Sequence, residues 1–443
     1  MQKNIVKVLL ICHFSNPEIR AKLELKQDRK YHDFAVWITN RLAAYAGCDE
    51  LEMHIVAPHK GMTKRTQEFE LDGINYYFYN AWTDLGKFID KGFNVLISKV
   101  KFRILVSIIH FLKSIYWSIA FCRQKNYVKA VVRLVKPDII HLNGAENPYY
   151  SATVLGLEEY NFPICITIQG IVGDPVVLKA SDFNDMSRIK IEHRIQSSYQ
   201  YYIVGSPEHY KLVKQVNLCA NYLFSPGIRT INIDPLAVNV QKEFDFVFMA
   251  RVTPIKGIEH LLKALSTIHK ESPEVSLLVL GPVSKSYLAH LKGICEDHGI
   301  GNNVVFGGHI PRREDLFMKV LRARIFVLPT TIEGLATSAV EAMLLGLPVV
   351  TYATGGMPFL NSDGENVLMC ETGNIEGLTN NMMRLLTDKE FAQKLAHRGQ
   401  EFAKRTFGAE ANVNRNIRQY RAIIEHYHHG TPIPDDLMYT GAQ

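Results

Sequence analysis

Paired cysteines are missing from this chain. Its seven cysteines, Cys12, Cys48, Cys122, Cys165, Cys219, Cys295 and Cys370, include no C-x-x-C pair and are odd in number. That argues against a disulfide framework or a zinc site and for a reducing compartment. A membrane span is missing too. No segment reaches the ~20 clean apolar residues a span needs, and the nearest, residues 104–121, is interrupted by His110 and Lys113. The N-terminal MQKNIVKVLLICHF has too short an apolar part for a signal peptide and no small-residue cleavage site, so a buried first strand is expected. Charge of one sign is nearly absent as an excess: 50 Lys and Arg against 44 Asp and Glu give +6. No Asp-x-Asp occurs anywhere. A divalent ion on a diphosphate usually needs carboxylate ligands, so no metal is expected.

What is present is an ordinary globular composition, 47% hydrophobic and 21% charged, over 443 residues. That length exceeds what one core usually serves, so two domains are expected. Short β-branched runs alternate with helical patterns. In the first half the strands are 5–14, 51–58, 74–81, 137–144, 162–170 and 201–207. A helix is predicted over 33–46, with Phe34, Trp37, Ile38 and Leu42 on its apolar side. The alternation restarts with strands at 244–252, 275–282, 303–310, 323–330 and 347–356. Strand–helix alternation predicts parallel sheets covered on both faces. The expected architecture is two doubly wound α/β halves, with ligands at the carboxyl ends of the strands and a shared site in a cleft between them. The domains are placed at 1–225, 226–410 and 411–443, the last a helix and tail packing back on the first domain.

The stretch TIEGLATSAVEAM, residues 331–343, carries two carboxylates, Glu333 and Glu341, around a run of small residues. Glu333 follows a strand, and Gly334 breaks any helix through it. Thr337 or Ser338 is expected to cap the next helix, with Glu341 in its first turn. The amides of Leu335, Ala336 and Thr337 would then form a phosphate site at a helix N-terminus. Carboxylates repel phosphate, so cations must come from elsewhere. ARVTPIKG, residues 250–257, supplies Arg251 as a planar fork and Lys256 as a point charge.

MARVTPIKGIEHLLKAL, LLVLGP, VVFGGHIPRREDL, TTIEGLATSAVEAMLLGLPVV and TGGMP follow in order, and together they resemble the donor half of glycosyltransferase family 4. The match is strong over about 244–410 and weaker over 1–225. The resemblance implies a GT-B fold and retaining transfer from a nucleotide diphosphate sugar, UDP foremost. It implies that Glu333 holds the donor sugar's hydroxyls and that Glu341 binds the ribose diol. Amides of Gly334, Leu335, Ala336 and Thr337 would meet sugar and distal phosphate. Arg251 and Lys256 would neutralise the leaving diphosphate, and the main chain near His309 and Ile310, with Gly281 at the end of LLVLGP, would meet the nucleotide. The chain departs from the family in two places. The first loop lacks the usual glycine pair, leaving Ser15 and Asn16 to contribute hydrogen bonds. Gln169 and Gly170 stand where a histidine is common, and Gln cannot act as a base at neutral pH.

Residues 87–136 hold eleven Lys or Arg against one acid, Asp90, interleaved with aromatics. No nucleic-acid-binding module is recognisable there. The stretch reads either as a helix pair packed on the sheet or as a surface lying on anionic lipid. The expectation is a cytoplasmic enzyme, without cofactor beyond its nucleotide-sugar co-substrate, using a glycan or lipid-linked acceptor and docking on the inner face of a membrane. Rival readings are another GT-B enzyme, such as a glycan phosphorylase or a sugar-nucleotide epimerase, or a scaffold without catalysis.

Overall fold

A computed structural model describes residues 5–25, 35–80, 121–173, 186–229 and 240–439, with isolated residues between 92 and 115 and between 231 and 238. The chain divides into two compact units, Met1–Ile228 with Asn412–Ala442, and Arg229–Ala411.

The first unit holds an eight-stranded sheet: β1 (Val6–Ile11), β2 (Leu51–Pro58), β3 (Thr66–Leu71), β4 (Ile74–Tyr79), β5 (Ile139–Asn143), β6 (Ile164–Thr167), β7 (Tyr201–Val204) and β8 (Asn221–Phe224). Their order is β3-β4-β2-β1-β5-β6-β7-β8. VKVLLI of β1 is almost entirely apolar because helices cover both faces of a parallel sheet. The antiparallel strand β3 was not expected. Its sequence TQEFEL alternates exposed and half-buried residues, as an edge strand does. It turns into β4 through Asp72 and Gly73, both at positive φ (53° and 73°). An Asp-Gly pair favours that tight hairpin, and the signal was present in the sequence. The short strand β8 was not expected either.

The helices of this unit are α1 (Pro17–Lys22), α2 (Val36–Tyr45), α3 (Cys122–Val135), α4 (Pro148–Ser151), α5 (Met186–Ser198) and α6 (Pro207–Val216). In α2 the buried stripe is Ile38, Leu42 and Tyr45, while Trp37 is 43% exposed. The expectation that Trp37 faces the core is corrected: a residue next to a stripe position points about 100° away from it. Phe34 lies outside the described residues, as does most of 87–120.

The second unit holds six parallel strands, β9 (Phe244–Met249), β10 (Leu277–Leu280), β11 (Val304–Gly308), β12 (Ala323–Leu328), β13 (Val349–Tyr352) and β14 (Leu368–Cys370). β14, three residues long, went unrecognised in the sequence. The order is β11-β10-β9-β12-β13-β14. Numbered within the unit, this is 3-2-1-4-5-6, the doubly wound dinucleotide-binding order, whose switch point lies between the first and fourth strands. The helices are α7 (Ile258–Glu271), α8 (Lys285–Asp297), α9 (Arg313–Val320), α10 (Thr337–Leu344), α11 (Ile375–Thr387) and α12 (Lys389–Phe407).

A final helix, α13 (Ala409–His429), returns to the first unit. Tyr420 Oη lies 2.7 Å from His141 Nδ1, the Gln419 amide donates to the Phe224 carbonyl at 2.8 Å, and the Asn416 amide donates to Tyr45 Oη at 2.7 Å. The tail then bridges Met438 to Leu223 on the edge strand.

The two sides of the second unit's switch point are held together by a glycine. Gly257 has φ +73°, and a Cβ there would meet the Pro329 carbonyl oxygen at 1.8 Å. Gly257→Ala should therefore lose at least about 2 kcal/mol in urea unfolding, left-handed strain plus a backbone displacement. Gly299 has φ +69° and open space around it. Gly299→Ala should lose only about 1 kcal/mol, the conformational part alone. Equal losses would show that the close approach at Pro329 does not matter.

Candidate functional site

β9 and β12 are adjacent, with Phe246 paired to Ile325, and the connections leave them in opposite directions. A crevice therefore opens beyond their carboxyl ends. The loop after β9 contains Arg251 and the 3₁₀ turn Pro254–Lys256. It is tied to the loop after β12. The Thr331 amide donates to the Ile255 carbonyl at 2.8 Å, and Thr330 Oγ1 donates to the same oxygen at 3.1 Å. Across this joint Lys256 Nζ donates to Glu333 Oε2. Both side chains are largely covered, at 15% and 18% exposure. Gly355, from the TGGMP segment after β13, completes the joint, since a Cβ there would stand 1.8 Å from the Glu333 carbonyl oxygen.

The helix after Glu333 starts differently from expectation. Its N-cap is Ala336, whose side chain cannot cap, so neither Thr337 nor Ser338 fills that role. The chain turns at Gly334 and enters the helix one residue earlier than a hydroxyl cap would require. Ala336 N–H is turned to Met357 Sδ at 3.3 Å. The amides of Gly334, Leu335, Thr337 and Ser338 have no hydrogen-bond partner among the described residues. Open donors at a helix start, with no side-chain acceptor competing, suit an anion.

Glu341 is the fifth residue of α10 and so sits in its second turn, not the first. It is 3% exposed. Its carboxylate accepts from the Arg313 guanidinium, which sequence reasoning missed. Burial pushes the Glu341 carboxyl up, while Arg313 and Arg229 pull it down. The available signal was the basic doublet in IPRREDL at the start of α9. Nothing local says that Arg313 meets a residue 28 positions away.

Arg251 is exposed and makes no hydrogen bond or ion pair among the described residues. Gly281 closes β10 at φ +141°, with room for no Cβ against the Ala250 carbonyl oxygen at 1.8 Å. Its amide donates to the Gly308 carbonyl at 2.9 Å, so three strand ends are pinned together at this edge. His309, exposed, and Ile310, half-buried, follow on the same edge.

In the first unit the corresponding switch point lies between β1 and β5. Ser15 follows β1 but is buried, its Oγ within 3.4 Å of both Arg20 Nη1 and His59 Nε2. Asn16 Oδ1 caps α1 by accepting from the Ile19 amide at 2.8 Å. Gln169 and Gly170, half-buried, follow β6, one strand from the switch point. The residue that sequence reasoning missed is Glu146, just past β5. Its Oε2 is buried without a hydrogen-bond partner among the described residues. Its pKa is raised to about 7, chiefly by burial, with Glu192 adding to the shift and the Glu146 amide and Arg188 opposing it. The signal was an acid in NGAENP directly after a strand.

With this geometry in hand, similarity places the chain. Residues 233–402 match the family model for glycosyl transferases group 1. The chain has the GT-B fold, and its likeness to glycosyl transferases group 1 lies in that segment. Among curated relatives it is 31% identical over 186 residues to the poly(glycerol-phosphate) alpha-glucosyltransferase of Bacillus subtilis, covering 42% of this chain and 27% of that one. It is 27% identical over 263 residues to the D-inositol 3-phosphate glycosyltransferase of Segniliparus rotundus, covering 58% of this chain and 56% of that one. The matches thus span a quarter to little more than half of these relatives' length. Sucrose-phosphate synthase from Thermosynechococcus elongatus superposes with a TM-score of 0.64 at 18% identity, covering 94% of this chain and 98% of that one. Anabaena HepE in complex with UDP superposes with a TM-score of 0.60 at 16% identity, covering 93% and 98%. At such identities the superpositions show the fold alone.

Glu146 generates a prediction with a definite sign. Its folded pKa is above the usual value of 4.5. The folded state therefore holds the proton more tightly, and stability falls as pH rises from about 4.5 to about 7. The change is on the order of 3 kcal/mol. Glu146→Gln removes this term. Between pH 4.5 and pH 8 the variant should gain stability relative to wild type by that order in urea unfolding. A constant gap across that range would contradict the assigned environment.

Proposed function

We propose that the chain is a retaining glycosyltransferase. It moves a sugar from a nucleotide diphosphate donor, UDP foremost, to a glycan or lipid-linked glycan in cell-surface polysaccharide synthesis. The observation that carries this reading is the contact of Lys256 with Glu333 beside the open amides of α10. Breaking a glycosyl–phosphate bond builds negative charge on the departing diphosphate and positive character on the sugar. A fixed ammonium, the free Arg251 guanidinium and helix-terminal amides answer the first. A carboxylate at the same point can hold the sugar's hydroxyls and face the second. Glu341 is assigned to the ribose diol by the resemblance, and there it would have to be reached past its pairing with Arg313. Retention and the individual roles follow from the family 4 resemblance. UDP is favoured because Anabaena HepE was solved with UDP and with UDP-glucose. A metal-free reaction follows from the lack of Asp-x-Asp. Gln169, Gly170, Ser15 and Asn16 remain proposed acceptor-side contacts, Glu146 joins them, and docking on an anionic membrane surface through 87–136 is part of the same reading.

A thermal-shift panel of UDP, GDP and ADP sugars tests the donor, and slow donor hydrolysis tests catalysis. UDP should give the largest shift, and EDTA should leave turnover unchanged. Glu333→Ala should lower turnover by on the order of 100-fold or more. Its UDP affinity should stay equal or rise, because Lys256 is released from its partner. Lys256→Ala and Arg251→Ala should weaken UDP itself, by roughly 10-fold each. No shift with any nucleoside diphosphate and no hydrolysis would leave a scaffold; equal losses of UDP affinity in all three variants would refute the division of labour.

A further inference from the structure

The first unit contains a second charged feature, away from its strand ends. A cavity of about 150 Å³ lies between α3, the segment after α4, and α5. Its floor is apolar, formed by Phe121 and Ala152, which are 1% and 4% exposed, with Ile191 beside them. Its rim is basic: Lys125 from α3, Lys190 and Arg194 from α5. None of the three forms an ion pair with an acid among the described residues. The acids nearby are engaged elsewhere. Glu158 accepts from the Gly156 amide at 2.5 Å and from Tyr199 Oη at 2.8 Å, and Glu159 pairs with Lys129 at 3.0 Å. Burial first, then the charge of Arg194, press the Lys125 ammonium pKa downward; Cys122 and Glu158 oppose the shift, and Lys129 adds to it. Three cations line one cavity with an apolar floor, and Arg194 repels Lys125 there, an arrangement that an anion would relieve. The volume is well below the roughly 300–1,000 Å³ of a drug-sized pocket, so the anionic group is small.

One contact leads out of the cavity. Lys190 Nζ lies 5.7 Å from the centroid of the Phe111 ring. Around Phe111 the helical residues Leu105, Ile108, Leu112 and Ile115 are 49%, 49%, 50% and 43% exposed. Their spacing of three, four and three residues is the spacing of one helix face. A free phosphate has no use for this apolar stripe or for the floor. An acyl or prenyl chain beneath a phosphate uses both, and the sequence sets Lys99, Lys101, Arg103 and Lys113 in the same stretch.

We propose that Lys125, Lys190 and Arg194 form a pocket for the phosphate of an anionic lipid, seated there while Leu105, Ile108, Leu112 and Ile115 lie on the bilayer. The proposal rests on the membrane-docking part of the functional reading and gives it a defined phosphate site. It is independent of the donor site.

The test is co-sedimentation of the full chain with phosphatidylcholine vesicles, with and without phosphatidylglycerol. Wild type should bind the anionic vesicles. The triple variant Lys125→Gln, Lys190→Gln, Arg194→Gln should bind on the order of 100-fold more weakly, from about 1 kcal/mol per basic residue at an anionic surface. The stripe is probed separately with Ile108→Asp and Leu112→Asp. If the stripe variant loses binding while the triple variant binds as wild type, docking stands and the phosphate pocket is refuted. If wild type ignores anionic vesicles altogether, the docking reading fails and the pocket proposal with it. Short-chain dihexanoyl phosphatidic acid should compete with the vesicles and inorganic phosphate at the same concentration should not; equal competition by inorganic phosphate would make free phosphate the occupant and overturn the lipid assignment. Unchanged UDP thermal shifts in the triple variant check that it is folded and keep the donor reading separate.

Discussion

An ammonium held against a carboxylate at the end of a sheet is the interaction on which the candidate site depends. Lys256 comes from the loop after one strand and Glu333 from the loop after its neighbour. The two loops would otherwise be ordinary surface connections. Coupled, they fix where positive and negative charge stand at the place where the doubly wound order opens a crevice. Both groups are partly withdrawn from water, which strengthens their attraction and also any field they present to a ligand. The pair thus sets a cation and an anion in contact with each other at the mouth of that crevice.

That coupling needs backbones to approach closely, and glycine makes it possible. At Gly257, Gly281 and Gly355 a Cβ would fall within 1.8 Å of a carbonyl oxygen on a neighbouring loop. The loops after β9, β10, β12 and β13 therefore meet backbone to backbone, and the side-chain contacts are added to that joint. Beside them, α10 begins at an alanine, leaving its first amides open. A better cap would have stabilised the helix and engaged one of those amides. Stability has been left out at the spot where ligand binding would supply it.

The first unit is organised around buried polar contacts rather than a loop joint. α13 brings Tyr420 to His141 and Asn416 to Tyr45 deep in the fold, so the last part of the sequence completes the core of the first. At the switch point of this sheet stands Glu146, whose burial holds its proton to near-neutral pH. A carboxyl group that titrates near pH 7 can take up or release a proton, which the amide of Gln169, although it also donates and accepts, cannot do.

The period of apolar residues determined the strand–helix alternation, the two sheets and the positions of Arg251, Lys256, Glu333 and Glu341 after their strands, because those features are local and each strand buried on two faces must read as an apolar run. Edge strands escaped notice for the same reason: β3 and β14 are half-covered or three residues long and carry little hydrophobic pattern. Tertiary structure alone decided which charges meet. Lys256 with Glu333 and Arg313 with Glu341 are contacts between strand ends and helix starts that the chain separates by 77 and 28 residues. So too did burial decide that the Glu146 carboxyl is raised to about 7, and folding that Lys125, Lys190 and Arg194 share a cavity, since charge in a sequence is a count, while potential depends on distance and on the water that folding removes.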